Sequence, residues 1–194
     1  MIIAVVGSGG KTTLIRKLAA RYRSEGKTVL VTTTTHMFIE ADTQLTDDPE
    51  KIIQRLQTAG YAMAGIPEGE KITALSGETF RKVCAAADVV LVEADGSKHL
   101  PLKYPNATEP VIPGGVEEII VVWGPHGLHR PAREVCHRLE LVMQCLGITE
   151  DTRITPAHVR ALLEKGYLIP LRSRYPQAAI TLYPEIPAEK IPNV

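Results

Sequence analysis

The sequence predicts an α/β domain of three layers, in which helices cover both faces of a mostly parallel sheet. Two apolar runs rich in β-branched residues, "IIAVV" (2–6) and "DVVLVEADG" (88–96), are typical of strands that are buried on both faces. A third run, "TVLVTT" (28–33), follows a segment with the period of an amphipathic helix. Buried strands that alternate with such helices indicate a parallel sheet.

The first 33 residues predict a strand–loop–helix–strand unit. The loop after the first strand opens a helix at Thr12, where the apolar period changes to that of a helix. Ile15, Leu18 and Tyr22 share one face of this helix, and Gly26 ends it. We expect the crossover to the second strand to be right-handed.

Between the second strand and residue 88 the pattern predicts two helices and two short strands. Asp47 or Asp48 caps the first helix, Pro49 opens it and Gly60 ends it. "YAMAGIP" and "KITAL" follow as extended segments around a Pro-Glu-Gly turn, and Ser76 caps the second helix.

The second half predicts a proline-rich loop over 100–115 and a strand over 117–124. Apolar residues at helical spacing then predict one uninterrupted helix over 131–147, and a short capped helix reaches Gly166. The weak strand "AAITLY" lies in a less regular segment, 166–194. With no repeat or linker, we expect one domain over 1–194.

Composition excludes several classes of function. Lys plus Arg equals Asp plus Glu at 22 each among 194 residues, so no charge excess favours nucleic acid or a membrane surface. No apolar stretch approaches the roughly 20 residues that cross a bilayer. Cys84, Cys136 and Cys145 form no CxxC pair, which favours reduced thiols and a cytoplasmic location.

The segment "GSGGKTT" (7–13) joins the first strand to the first helix and predicts a phosphate site. The first turn of a helix presents N–H groups without internal partners, and glycines let the backbone approach an anion closely. A lysine there reaches the β- and γ-phosphates, and a following hydroxyl ligates Mg²⁺. The expected nucleotide-binding residues are Gly7, Ser8, Gly9, Gly10, Lys11, Thr12 and Thr13.

The spacing of this loop is unusually short. The common G-x-x-x-x-G-K-[ST] pattern would place a glycine at position 5, which is Val5. Gly7, Gly10, Lys11 and Thr12 instead resemble the compact G-x-x-G-K-[ST] loop of the Mur ligase group. The alternative is a glycine turn with an incidental lysine.

Two carboxylates end the predicted central strand, where a nucleotide site needs a Mg²⁺ ligand. Glu93 and Asp95 are two residues apart, so on a strand they project to the same side and could converge on one ion with Thr12. With Lys11 they are the expected catalytic residues. The alternative is that they mark the exit of the strand into a turn.

Further polar residues follow the second and central strands. "TTTTH" (32–36) places Thr34, Thr35 and His36 where they could contact a substrate, phosphate or Mg²⁺. Lys98 and Lys103 could neutralise an anionic substrate. The alternatives are β-propensity for the threonines and solvated loop residues for the two lysines.

Four segments resemble, in order and approximate spacing, the YqeC family of accessory proteins of selenium-dependent hydroxylases. They are "VVGSGGKTTLIRKLA", "VLVTTTTHM", "LVEADGSKHLPLK" followed by "EPVIP", and "VCHRLELVMQCLGIT". The resemblance runs from about residue 2 to residue 166. It implies a P-loop NTPase-type fold and a role in the maturation of selenium-dependent molybdenum hydroxylases.

Two departures from the family pattern affect these expectations. Some members carry a later Asn-Lys-x-Asp-like guanine reader, whereas the corresponding "RYPQAAITLYPEI" has none, so ATP is expected rather than GTP. The family's His-Arg pair is often followed by proline. Here Leu139 follows His137–Arg138, which favours a helix that continues through this point.

Together these features predict a Mg²⁺-dependent protein that binds ATP, or GTP, and cleaves the β–γ bond to assist an immature hydroxylase. Two alternatives remain open. One is a non-catalytic adaptor or chaperone that responds to nucleotide. The other is a kinase or ligase that acts on a small anionic substrate.

Overall fold

The computed structural model describes residues 1–187 of the chain. The strands are β1 (Ile2–Gly7), β2 (Val29–Thr33), β3 (His36–Phe38), β4 (Gln44–Leu45), β5 (Tyr61–Glu68), β6 (Lys71–Thr73), β7 (Val89–Glu93), β8 (Leu102–Lys103), β9 (Glu118–Val122), β10 (Cys136–His137) and β11 (Ala179–Tyr183). The helices are α1 (Lys11–Ser24), α2 (Pro49–Ala59), α3 (Gly77–Ala86), α4 (Ala132–Val135), α5 (Leu139–Leu146), α6 (Pro156–Leu163) and α7 (Ile169–Arg174).

The main sheet has the strand order β11-β9-β1-β7-β2-β5-β6-β3. Its first six strands pair in parallel, and β6 and β3 add an antiparallel extension at one edge. The prediction of a mostly parallel sheet is therefore confirmed. The loop strand β1 lies between β7 and β9, so the carboxyl ends of these three strands meet at one sheet edge.

Two hydrophobic cores lie on opposite faces of the sheet. Ile3 and Val5 of β1 pack with α1, whereas Ala4 and Val6 face the other helices. This alternation follows from the two-residue period of a strand. The helices on both faces confirm the prediction of three layers.

The prediction of one helix over 131–147 is wrong. Helix α4 ends after one turn, β10 pairs in parallel with β8, and α5 begins after Arg138. Arg138 has a φ of 59°, a left-handed conformation that a continuous helix excludes. Pairing with β8 and the contacts of the Arg138 guanidinium therefore outweigh the helical period of the apolar residues.

The short helix expected to stop at Gly166 continues instead. A π-helical turn, Glu164–Leu168, joins α6 to α7, and the chain then forms β11 beside β9. A Cβ on Gly166 would lie 3.0 Å from Cδ of Pro105, so glycine allows this turn to pack against the 104–105 segment. The predicted weak strand is confirmed and forms one edge of the sheet.

Within residues 1–187, no helix combines the length and the apolar composition that a membrane crossing requires. The three cysteines are free thiols. Burial raises the pKa of Cys84 to about 11 and that of Cys136 to about 12.

Candidate functional site

The loop between β1 and α1 is held tightly against the end of β9. The backbone N–H of Ser8 donates to the Val122 carbonyl at 2.9 Å, and the Ser8 hydroxyl donates to the Pro101 carbonyl at 3.0 Å. A Cβ on Gly7 would lie 2.1 Å from the Val122 oxygen, and one on Gly9 would lie 2.6 Å from the Gly124 backbone. Both positions therefore require glycine, and these contacts fix the path of the loop backbone.

The N-terminal end of α1 presents backbone N–H groups to the open side of this loop. Gly10 is the N-cap and supplies no side-chain hydrogen bond, and the first turn contains no acidic residue. Among residues 1–187, no protein acceptor bonds to the N–H groups of residues 9–13. Unpartnered N–H groups and the helix dipole make this end favourable for an anion.

The Lys11 side chain folds back over the loop. Its Nζ donates to the Gly7 carbonyl at 3.0 Å and to the Ser97 hydroxyl at 3.3 Å, and it lies 3.8 Å from Oε1 of Glu93. Burial lowers the pKa of Lys11, while the charge on Glu93 acts in the opposite direction. A buried ammonium with mostly neutral partners is therefore available to an incoming anion.

Glu93 and Thr12 form a second contact across the same opening. The Thr12 hydroxyl donates to Oε2 of Glu93 at 2.8 Å, and Glu93 is only 8% exposed. Burial raises the pKa of Glu93, and Lys11 together with the Thr12 hydrogen bond opposes that rise. A carboxylate beside a hydroxyl is a donor set that fits Mg²⁺, which protein sites usually hold through one or two carboxylates and substrate phosphates.

Asp95 does not line the cleft, and both of its carboxylate oxygens already have protein partners. It is fully buried and accepts hydrogen bonds from the Gly7 N–H at 3.1 Å and from the Tyr167 hydroxyl at 2.7 Å. Its other oxygen is ion-paired with Lys103. The structure therefore does not bring Asp95 into the cleft, where a metal ligand or catalytic group was predicted; Asp95 holds the start of the 7–13 loop through Gly7.

Lys103 is also placed differently from either expectation, because it is neither solvated nor open to a substrate. It is 1% exposed and bridges Asp95 to Glu109, with 2.7 Å between its Nζ and Oε2 of Glu109. Arg138 holds both Glu109 oxygens, at 2.5 Å and 2.9 Å. These residues and Tyr167 form what we call the anchor network: Asp95, Lys103, Glu109, Arg138 and Tyr167.

The anchor network changes the pKa of its members in opposite directions. Burial alone would raise the pKa of Glu109, but hydrogen bonds from Arg138 and Lys103 and their charges lower it to about 2. Burial and the neighbouring Asp95 raise the pKa of Tyr167 well above its usual value. Tyr167 is thus a fixed hydrogen-bond donor, and Glu109 is a fixed anion.

A cleft of about 660 Å³ opens above the loop. Its lining includes five cationic side chains and two carboxylates, so a polyanion is favoured there; the seven are Lys11, Arg16, Lys71, Lys98, Arg138, Glu93 and Glu109. Of the predicted residues, those that line the cleft are Gly9, Gly10, Lys11, Thr12, Thr13, Glu93, Thr35, His36 and Lys98. Those that do not line it are Gly7, Ser8, Asp95, Thr34 and Lys103.

Some of the "TTTTH" residues (32–36) hold neighbouring segments together, and others line the cleft. The hydroxyls of Thr33 and Thr34 donate to the carbonyls of Glu93 and Val111, at 2.7 Å and 2.6 Å, and so hold neighbouring segments together. Thr35 and His36 line the cleft, where His36 also contacts Glu68 at 2.7 Å.

The sequence interpretation missed three residues that support the site: Ser97, Glu109 and Tyr167. Glu109 lies in the "EPVIP" segment, which the resemblance had quoted without a role for its acid. Ser97 directly follows the two carboxylates and Gly96. Tyr167 left no signal, since it meets Asp95 across 72 positions of sequence.

Comparison with known proteins identifies the family. The family model described as YqeC protein matches residues 3–140. The chain belongs to the YqeC family. A curated YqeC-family relative, the "Uncharacterized protein YqeC" of Escherichia coli (strain K12), is 32% identical over 196 residues, which cover 95% of this chain and 72% of the relative. No solved structure matches the chain.

The YqeC match contains most of the site described above. Residues 3–140 include the phosphate loop, Glu93 and all of the anchor network except Tyr167. The alignment to the Escherichia coli relative covers 95% of this chain, so it leaves out too few residues to exclude Tyr167.

Proposed function

We propose that this protein binds a nucleoside triphosphate with Mg²⁺ and hydrolyses its β–γ bond. The observation that carries the proposal is the row of unpartnered N–H groups at residues 9–13 beside the buried Lys11 ammonium. Preorganised donors of this kind stabilise the charge on phosphate oxygens without a cost of reorganisation. The loop, the helix end and the lysine thus act as one polyphosphate site.

Each residue of the site has a distinct part in this reaction. The N–H groups hold phosphate oxygens, and the Lys11 ammonium exchanges its contacts with Gly7 and Ser97 for the β- and γ-phosphates. Thr12 and Glu93 would hold Mg²⁺, which when bound neutralises charge on the phosphates. Water adds to the γ-phosphorus while its bond to the bridging oxygen breaks, giving nucleoside diphosphate, phosphate and a proton.

The nucleotide and the biological step are further parts of the proposal. ATP is the expected nucleotide, because the segment over β11 lacks an Asn-Lys-x-Asp-like guanine reader. The resemblance to the YqeC family supports a role in the maturation of a selenium-dependent molybdenum hydroxylase, with hydrolysis coupled to a step on the immature enzyme. Binding of the triphosphate, binding of Mg²⁺ and association with that partner can each be tested separately.

One observation favours a second function, that of a nucleotide-responsive adaptor without turnover. Both oxygens of Asp95 are engaged by Gly7, Lys103 and Tyr167, so Glu93 is left both to hold the metal and to orient water. In this alternative, nucleotide binding changes the contacts of Lys11 with Ser97 and thereby reorders the segment that leads to the anchor network.

The test is multiple-turnover release of phosphate from Mg–ATP, together with equilibrium binding of the same ligand. We expect Lys11→Ala to lose both, since the variant removes a charge-assisted contact in a low-dielectric site. Lys17→Ala is the matched control: Lys17 is on the same helix and exposed, and it does not line the cleft.

The outcomes separate the two functions. Turnover by the wild-type protein and by Lys17→Ala, but not by Lys11→Ala, supports the NTPase. Tight binding without turnover, with and without an immature hydroxylase present, supports the adaptor. If Mg–ATP does not bind at all, both are wrong.

A further inference from the structure

Phe38 is an aromatic residue whose side chain is not packed in the interior of the protein. It is 47% exposed, and in the described part of the chain it belongs to neither hydrophobic core. Its neighbour Met37 points into the α1 core, so the strand period turns Phe38 outward to the cleft. The stability of the sheet therefore does not account for this ring.

Two other cleft residues contact the Phe38 ring. The His99 ring stacks on it with 5.7 Å between centroids and 24° between planes. The Lys71 Nζ lies 4.8 Å from the Phe38 centroid, and within residues 1–187 it makes no ion pair. An exposed aromatic surface thus lies beside an ammonium group that is free to meet an anion.

The backbone that brings His99 to this position is strained. Lys98 and His99 have φ values of 48° and 62°, which are successive left-handed conformations of non-glycine residues. Such conformations persist where surrounding contacts hold them, and they cluster at ligand sites. Ser97, directly before them, accepts the Lys11 hydrogen bond, so the same short segment touches the phosphate loop and the aromatic pair.

We propose that Phe38 and His99 form a stacking site for the planar base of a nucleoside phosphate, with Lys71 and Lys98 facing its phosphate groups. A base held between the two rings needs roughly 7 Å, twice the contact distance of stacked carbon atoms. The rings are closer than that. The base therefore separates the pair, and His99 is the ring that moves because it lies in a turn, whereas Phe38 lies in β3.

The stacking site recognises a base through its planar face. Stacking on an aromatic side chain tolerates every base because each has a π-face. Stacking itself therefore adds no preference between ATP and GTP. The base can come from two sources: the triphosphate on the phosphate loop, which rests on the proposed function, or a second nucleoside monophosphate in the same cleft.

The experiment compares Phe38→Ala, Phe38→Trp and His99→Ala with the wild type. Leu45→Ala is the control, because Leu45 is similarly exposed at 48% and does not line the cleft. Equilibrium dissociation constants are measured for Mg–ATP, for Mg–tripolyphosphate, and for AMP added to protein saturated with Mg–tripolyphosphate. Tripolyphosphate has the phosphates of ATP without a base.

If the base is that of the loop nucleotide, Phe38→Ala weakens ATP binding by roughly 5- to 100-fold and leaves tripolyphosphate binding unchanged. Phe38→Trp, which keeps an aromatic surface, restores the affinity. If the base belongs to a second ligand, Phe38→Ala leaves ATP binding unchanged and weakens AMP binding by a similar factor. Either result supports the stacking site.

The inference is overturned if Phe38→Ala and His99→Ala change neither ATP nor AMP binding. This failure is distinct from failure of the proposed function. If the proposed function fails, the wild-type protein binds neither ATP nor tripolyphosphate, and binding of AMP alone then tests the stacking site.

Discussion

The loop over residues 7–13 and the anchor network lie side by side, but they differ in whether their polar groups have hydrogen-bond partners. At the loop, N–H groups of residues 9–13 have no acceptor in the described part of the chain, and they face a cleft. In the network, Asp95 is fully buried and each of its oxygens has a partner. The paired groups therefore maintain the shape of the loop, while the unpaired groups are the ones available to a ligand.

The two lysines show the same contrast. Lys11 and Lys103 are both buried, at 4% and 1% exposure. Lys11 contacts a carbonyl, a hydroxyl and a carboxylate 3.8 Å away, whereas Lys103 lies between two close carboxylates. Lys11 can therefore exchange its partners for an anion, and Lys103 cannot.

The first prediction concerns the stability that Lys103 contributes to the anchor network. Lys103→Met leaves Asp95 and Glu109 buried without their shared cation, and removing one partner of a buried ion pair costs about 3–5 kcal/mol in the free energy of unfolding. Denaturant unfolding measures this change. Lys98→Met, at an exposed position of the same segment, is the control and should stay within about 0.5 kcal/mol. A loss below about 1 kcal/mol for Lys103→Met would show that the network does not anchor the fold.

The second prediction concerns the close approach of the loop to β9. Gly9→Ala would place its Cβ 2.6 Å from the Gly124 backbone at a φ of +75°. We expect the loop to shift and Mg–ATP affinity to fall about 10-fold or more, because the shift moves N–H donors away from the phosphates, and a lost hydrogen bond to a charged group costs about 1.5–3 kcal/mol. The measurement is equilibrium binding, with unfolding followed in parallel.

Gly26→Ala is the matched control for that substitution. Gly26 has a φ of +77° and nothing within 4 Å of the added Cβ, so it has the conformational cost without the collision. It should lose stability but keep its affinity for Mg–ATP. Equal affinities for the Gly9 and Gly26 variants would contradict the account of a loop fixed by packing.

The smallest expected effect is a pH dependence of the network. The pKa of Glu109 is lowered to about 2 in the folded protein from its usual 4.5, so its stabilising contribution is complete above pH 4.5 and is lost as pH falls toward 2. Glu109→Gln removes this titration. Urea midpoints at pH 5 and pH 3 should therefore fall less for Glu109→Gln than for the wild type. An equal fall in both proteins would contradict the role assigned to Glu109.

The sequence predicted the parts of the site that are local along the chain. The glycines, Lys11 and Thr12 are consecutive, and Glu93 ends a clearly apolar strand, so their order alone placed them at one sheet edge. The mostly parallel sheet and the helices on its two faces followed from alternation between strands and helices.

The anchor network could not be predicted because its contacts join distant segments. The sequence predicts Asp95 as a metal ligand and Lys103 as a contact to an anionic substrate or a solvated lysine, and only the fold places them together with Tyr167. The helix expected over 131–147 failed for the same reason. Pairing of β10 with β8 and the ion pair between Arg138 and Glu109 are tertiary contacts that apolar spacing does not report.

The most direct test of the polyphosphate site is a titration of the ¹⁵N-labelled protein with Mg–tripolyphosphate, followed through its backbone amide resonances. We predict large downfield shifts for the N–H groups of residues 9–13, since each gains a charged acceptor. The Gly7 N–H already donates to Asp95 and should move little. If the resonances of residues 9–13 stay in place at saturating ligand, or the shifts map to another surface, the central claim is contradicted.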